Sequence, residues 1–208
     1  GWDYMARAKK GESQLWGTNK PLPGMYGSTV GIVSIGMISR KLLSLLKNFD
    51  IKVVACSPEV NQEEARELGV ELVDMETLFA TSDVISLHLR GTDGNRGCID
   101  RKLMSWMKPG STLINTARGS VINQADLIAF LEERPDVYAC LDVTDPEPPA
   151  HDTKLLTLPN VILTPHLAGS MDRESRRMGN FIVEELRKYL SGQPLEGEVT
   201  HAIMQVMN

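Results

Sequence analysis

The sequence predicts an α/β chain, a doubly wound parallel sheet with helices on both faces. Three observations point there. From Thr29 onward, short apolar runs alternate with amphipathic stretches in repeated strand–helix–strand order. Several of those runs, VGIV and VVAC among them, are continuously apolar, as strands covered on both faces are. The first such strand runs straight into a helix through a glycine-containing turn, VSIGMISRKLL.

Each element follows from local pattern. Strands are expected at Thr29–Ile35, Ile51–Cys56, Glu71–Val73, Val84–Leu89, Thr112–Asn115, Val137–Val143 and Val161–Leu163. Helices are expected between them at Ile38–Asn48, Gln62–Leu68, Met75–Ala80, Arg101–Met107 and Gln124–Glu133, the last starting after Asn123, a good N-cap residue. One long charged helix, Ser170–Leu190, closes the series. Ahead of the strands, residues 11–28 hold four glycines and two prolines and read as linker and turn. Trp2–Lys10 reads as a helix already under way, so the chain is expected to be part of a longer protein. The expected division is a linker and helix remnant over 1–17, a ligand-binding domain over 18–190 and a tail over 191–208.

Composition narrows the function. The chain has 208 residues, 42% of them hydrophobic, and a net charge of -5, with no basic stripe for nucleic acid or an anionic membrane. Cys56, Cys98 and Cys140 are widely spaced and odd in number, which argues against a disulfide framework and for a reducing, cytoplasmic setting. No apolar run approaches the roughly 20 residues of a membrane helix, and no signal peptide is visible. No metal site is expected.

The turn Ser34-Ile35-Gly36-Met37-Ile38-Ser39 stands where a dinucleotide-binding loop carries three glycines. Gly36 occupies the middle position, where a side chain would fill the phosphate's space. Ser34 and Ser39 occupy the outer two, where a small side chain intrudes less. A positive φ at Ser34 would cost about 1–2 kcal/mol. Taken alone, the turn reads equally as an ordinary strand–helix connection. A ribose-binding acid is expected about 20 residues further on. Ser57 stands there, 18 residues past Ser39, in VVACSPEV. No Arg or Lys lies close by for a 2′-phosphate, and Glu59 would repel one, so NAD is favoured without excluding NADP.

Three later loops carry chemistry, each after the carboxyl end of an expected strand, where open α/β sheets place their ligand crevice. STLINTARGS bears Arg118, ACLDVTDPEPP bears Asp142 and Glu147, and VILTPHLAGS bears His166. An arginine fork holds a carboxylate in two parallel hydrogen bonds. A histidine exchanges a hydroxyl proton near neutral pH, and a neighbouring carboxylate orients it. Together they suit a small 2-hydroxy or 2-oxo acid. Singly, each has a plainer reading: Arg118 as a capping charge, the acids as turn formers, His166 as a loop histidine. His88 is either a strand-end residue lining a cofactor edge or a structural one, and His151 and His201 read as surface residues.

Taken in order, VGIVSIGMI, LHLRGTDGNRGCI, LMSWMKPGSTLINTARG, LDVTDPEP and LTPHLAGS resemble the D-isomer-specific 2-hydroxyacid dehydrogenases, over residues 29 to about 190. Trp16 and the tail LSGQPLEGEVT are similar too. The resemblance implies a Rossmann-like NAD-binding domain in which Arg118 holds the substrate and His166, paired with Glu147, is the general acid/base. It further implies that Gly36, Met37 and Ile38 face the pyrophosphate and that Ser57 stands at the ribose. Asp142 would position the nicotinamide end, with His88, Thr116, Ala117 and Gly169 lining the cofactor. Departures are Ser34, Ser39, Met37 at the pyrophosphate and Arg90 where the family carries proline; Arg90 has no assigned role. The resemblance also implies a homodimer through this domain, and a second domain whose N-terminal half this chain lacks. The expected function is therefore hydride transfer between NAD(H) and a 2-hydroxy or 2-oxo acid, with the isolated chain inactive by itself. A non-catalytic NAD(H)-sensing interaction protein of the same superfamily is the alternative. A purely structural dimerisation module would leave all three loops unexplained.

Overall fold

A computed structural model of the protein describes residues 8–11 and 24–201. Trp16 and most of the expected first helix lie outside them. Contacts gather the chain into two units, Gly1–Pro165 and His166–Asn208, each taken by itself below.

The first unit is a seven-stranded parallel sheet. Its strands are β1 (Thr29–Val33), β2 (Lys52–Cys56), β3 (Glu71–Leu72), β4 (Val84–Leu87), β5 (Thr112–Asn115), β6 (Tyr138–Leu141) and β7 (Val161–Leu163), in the order β3-β2-β1-β4-β5-β6-β7. The helices between them are α1 (Met37–Leu46), α2 (Gln62–Leu68), α3 (Met75–Thr81), the single turn α4 (Arg101–Met104) and α5 (Gln124–Glu133). The expected sheet is present, with every expected strand and the expected helices between the strands. β5, β7, α2 and α5 keep their expected bounds, and several other strands stop one or two residues early. Val33, for instance, is the last residue of β1 because Ser34 turns into the left-handed region, φ 71.

Strand alternation builds two cores. Val30 and Ile32 of β1 and Ala55 of β2 pack with Leu43 of α1 and Ala65 of α2 on one face. Val33, Val54, Ile85 and Leu87 turn to the other face and pack with Leu78 and Phe79 of α3 and with Leu127, Phe130 and Leu131 of α5. Because both faces are covered, the strands need apolar residues at every position, which is why they read as continuous runs. Each fully buried Leu, Ile or Phe contributes about 1.5–3 kcal/mol through burial. Caps bound the helices: Asn123, as expected, accepts the Asp126 N–H at 3.2 Å, while the structure adds Asn61, which accepts those of Glu63 and Glu64, and Gly69, which closes α2 in the left-handed region.

The second unit centres on α6 (Arg173–Leu190). Glu185, only 9% exposed, accepts the Gly197 N–H at 2.7 Å and so fastens the following tail onto the helix. Ile182, Leu186, Tyr189 and Leu190 are exposed along α6. A cleft of about 440 Å³ in this unit is lined by Arg177, Phe181, Glu184 and Lys188 among others, and none of the residues expected to bind or react lies in it.

Candidate active site

β2 and β3 extend the sheet on one side of β1, and β4 to β7 extend it on the other. The crevice at such a reversal, outside the carboxyl ends of the strands, is where an open α/β sheet binds ligands.

The β1–α1 turn is built there. Ser34 takes the positive φ that the turn requires, and its N–H donates to the Cys56 carbonyl at 2.9 Å. The Ile35 N–H donates to Ser57 Oγ at 2.9 Å. Gly36 is the extended N-cap of α1. Its N–H donates to Ser39 Oγ at 2.7 Å, and Ser39 Oγ donates back to the Gly36 carbonyl at 3.2 Å. Ser39 is fully buried. The serine at the third glycine position thus satisfies one of the orphan donors of the helix start. Met37 and Ile38 supply the next N–H groups, which lack intrahelical acceptors, and their side chains are 83% and 75% exposed. A Cβ on Gly36 would meet no protein atom within 4 Å, and its φ of -104° suits any residue. Among the described residues, nothing demands glycine at 36. Open space beside unpaired N–H groups at the positive end of a helix fits a pyrophosphate.

At the end of β2, Ser57 is 6% exposed. Its hydroxyl accepts from Ile35 and donates to Glu59 Oε2 at 2.8 Å. Burial, then the nearby charges of Asp74 and Glu59, pushes the Cys56 thiol above its usual pKa. At the end of β4, the His88 N–H donates to the Val33 carbonyl, next to the turn. Its Nε2 lies 3.0 Å from Ser86 Oγ. Burial lowers the His88 pKa and keeps the ring neutral.

The loops after β4, β5 and β6 are fastened to one another. Asn115, fully buried at the end of β5, accepts the Ala117 N–H at 3.1 Å and donates to the Arg118 carbonyl at 2.8 Å. That clamp shapes the turn Thr116–Arg118 and presents Arg118, which is exposed. Arg118 Nη1 also donates to the Ala117 carbonyl at 2.7 Å. A Cβ on Gly91, in the β4 loop, would lie 2.7 Å from Ser120 Oγ and 3.2 Å from Cβ and Cγ of Arg118. A Cβ on Gly119 would lie 2.0 Å from the Thr144 carbonyl oxygen. Arg96 pairs with Asp145, whose N–H donates to Gln124 Oε1 at 3.1 Å. In the same β6 loop Asp142 is 4% exposed and accepts the Thr164 hydroxyl, while Glu147 is exposed. Arg118, Asp142 and Glu147 therefore stand on adjoining loops of one body. His166 opens the second unit, exposed and at φ 54. Gly169 follows it, and a Cβ there would also meet no protein atom within 4 Å.

Sequence reasoning passed over Asn115, Gly91, Gly119, Thr164 and the bond between Ser57 and Glu59. Asn115 had a readable signal, a polar residue closing the apolar run TLIN. The two glycines had none, because their neighbours come from other loops.

The chain matches the family described as D-isomer specific 2-hydroxyacid dehydrogenase, NAD binding domain, over residues 3–168. It belongs to that family. Among curated relatives of this NAD-binding domain, the D-3-phosphoglycerate dehydrogenase of Archaeoglobus fulgidus is 35% identical over 175 residues, covering 84% of this chain and 33% of the relative. The hydroxypyruvate reductase of Thermotoga maritima is 35% identical over 191 residues, covering 90% and 61%. The chain thus spans about a third of the length of the D-3-phosphoglycerate dehydrogenases it matches. Among solved structures, D-lactate dehydrogenase with NAD+ from Lactobacillus jensenii superposes with a TM-score of 0.80 at 26% identity, over 96% of this chain and 63% of that one. The apo D-mandelate dehydrogenase of Rhodotorula graminis gives 0.80 at 27% identity, over 95% and 61%. Among the described residues of this domain, no helix is long and apolar enough to cross a membrane.

Proposed function

We propose that the protein is an NAD-dependent dehydrogenase of small 2-hydroxy acids, working in either direction between alcohol and 2-oxo acid. The presentation of Arg118 carries this reading. Its backbone is clamped by a buried asparagine, its stem is packed near Gly91, and its guanidinium is exposed at the carboxyl end of β5. A guanidinium so positioned suits a substrate carboxylate in two parallel hydrogen bonds and polarises the adjoining carbonyl. His166 takes the hydroxyl proton during oxidation and returns it during reduction, with Glu147 as the carboxylate that selects its tautomer. NAD, when bound, accepts the hydride from the hydroxyl-bearing carbon. Met37 and Ile38 N–H hold its pyrophosphate, His88, Thr116, Ala117 and Gly169 line it, and Asp142 orients its nicotinamide end. Asp142 is suited to that task because Thr164 holds its carboxylate in place.

The assignment extends to a cytoplasmic homodimer assembled through the nucleotide-binding domain, residues 18–190, with residues 191–208 packing on a substrate domain. Sedimentation of the purified protein tests the dimer. The sensor alternative drew its support from the two serines of the turn; the Ser39 cap, which keeps the helix start well bonded, weakens that support. Calorimetric titration of NADH, followed by turnover on a panel of 2-oxo acids in the full-length protein, tests the enzyme reading. His166→Ala should lower turnover by about 100-fold or more. Unchanged turnover would favour the sensor.

A further inference from the structure

The ribose end of the cofactor site departs from what the position of Ser57 suggests. A serine hydroxyl has one proton to donate, and Ser57 gives its own to Glu59 Oε2 at 2.8 Å. Its oxygen already accepts the Ile35 N–H at 2.9 Å, and the residue is 6% exposed. Ser57 is therefore committed to the protein on both sides. Glu59 is exposed, and among the described residues it has no ion-pair partner. Asn61, two residues on, is engaged as the cap of α2.

Resting on the NAD-dependent reading above, we infer that Glu59 accepts the adenosine ribose hydroxyls and that Ser57 is the positioning residue that holds it. A carboxylate is acceptor-only and offers several lone-pair sites, so it complements two vicinal hydroxyls while Oε2 keeps the serine proton. The same charge repels a 2′-phosphate, and no unpaired Lys or Arg between 57 and 61 offsets it. The bonds from Ile35 N–H to Ser57 and on to Glu59 also tie the ribose acceptor to the pyrophosphate turn. One serine thereby sets the spacing between two parts of the cofactor site.

NADH and NADPH titrated separately into the full protein by calorimetry test this, with thermal melts confirming that each variant is folded. The parent should prefer NADH. Glu59→Gln keeps the shape and removes the charge. It should weaken NADH about tenfold or more and bring the two affinities to within a few-fold of each other. Ser57→Ala should weaken NADH more modestly and retain the preference, because the carboxylate remains. Glu59→Gln with NADH affinity within twofold of the parent and NADPH still rejected would overturn the inference. So would a preference abolished by Ser57→Ala and untouched by Glu59→Gln, which returns the ribose contact to Ser57. A parent that binds neither nucleotide would remove the functional reading itself.

Discussion

Replacing Gly119 by alanine places a methyl group where the β5 and β6 loops touch. An ideal Cβ there lies 2.0 Å from the Thr144 carbonyl oxygen, 2.1 Å from its carbonyl carbon and 2.7 Å from its Cα. All are backbone atoms, so no rotamer change relieves the contact. Real Cβ contacts stay beyond about 3.0 Å, so residues 118–121 and 143–146 must part by at least 1 Å, the difference between 3.0 and 2.0 Å. Overpacking of this kind costs about 1–3 kcal/mol, and a backbone obstacle places it toward the upper end. Urea denaturation should show a lower midpoint at unchanged slope, and melting should fall by about 2–4 °C per kcal/mol in a chain this size. Arg118 is the adjacent residue, and in its proposed role of holding substrate a 1 Å misplacement should cost about 100-fold in turnover. A Gly119→Ala variant with the parent's midpoint and the parent's turnover would refute the claim that this contact aligns the two loops.

The other predictions separate binding from stability. Gly36→Ala should leave the urea midpoint almost unchanged, since its Cβ meets no protein atom within 4 Å, yet weaken NADH about tenfold by filling the space proposed for the phosphate, as calorimetry would show. Asp136, bonded by both Nε and Nη2 of Arg134 at 2.8 Å, has its pKa lowered to about 2. Its contribution is present above the ordinary carboxylate pKa of 3.8 and disappears as pH falls toward about 2. Because its side chain is 42% exposed, Asp136→Asn should cost only about 0.5 kcal/mol near neutrality, with the parent and variant converging in acid melts. His88 is held neutral by burial, so the stability it protects is present above pH 6.5 and is lost as pH falls below that value. His88→Gln should flatten the pH dependence of melting through that window, and an unchanged profile would show that the ring is not the titrating group. Phe79→Ala, at a fully buried position, should destabilise by about 3–5 kcal/mol in the same denaturation assay.

Legibility differed between elements for physical reasons. β5 and α5 were readable to the residue because their ends are marked by side chains that do local work, Asn115 closing one and Asn123 capping the other. α4 is shorter than its apolar pattern implies, stopping at Met104. Met104 and Met107 still reach the core, so burial there does not need a continuous helix. Among candidate site residues, the places of Gly36 and Arg118 were legible because each stands in the loop that follows a strand end. The strain at Ser34 was legible in the same way, as the backbone of the turn sets it.

The sequence by itself determined the parallel α/β architecture, the tight turn between β1 and α1 and the loops that bear Arg118, Asp142, Glu147 and His166. Those are properties of periodicity and of residue type at strand ends, interactions local along the chain. Only the tertiary structure decided that Ser39 caps the turn it seemed to weaken, that Ser57 is bound to Ile35 and Glu59, and that Gly91 and Gly119 are the points where loops from different strands meet. Ile35 and Ser57, like the loops at Gly91 and Gly119, meet from distant parts of the chain, and even for the nearby pairs a hydroxyl's choice of partner leaves no periodic mark in the sequence.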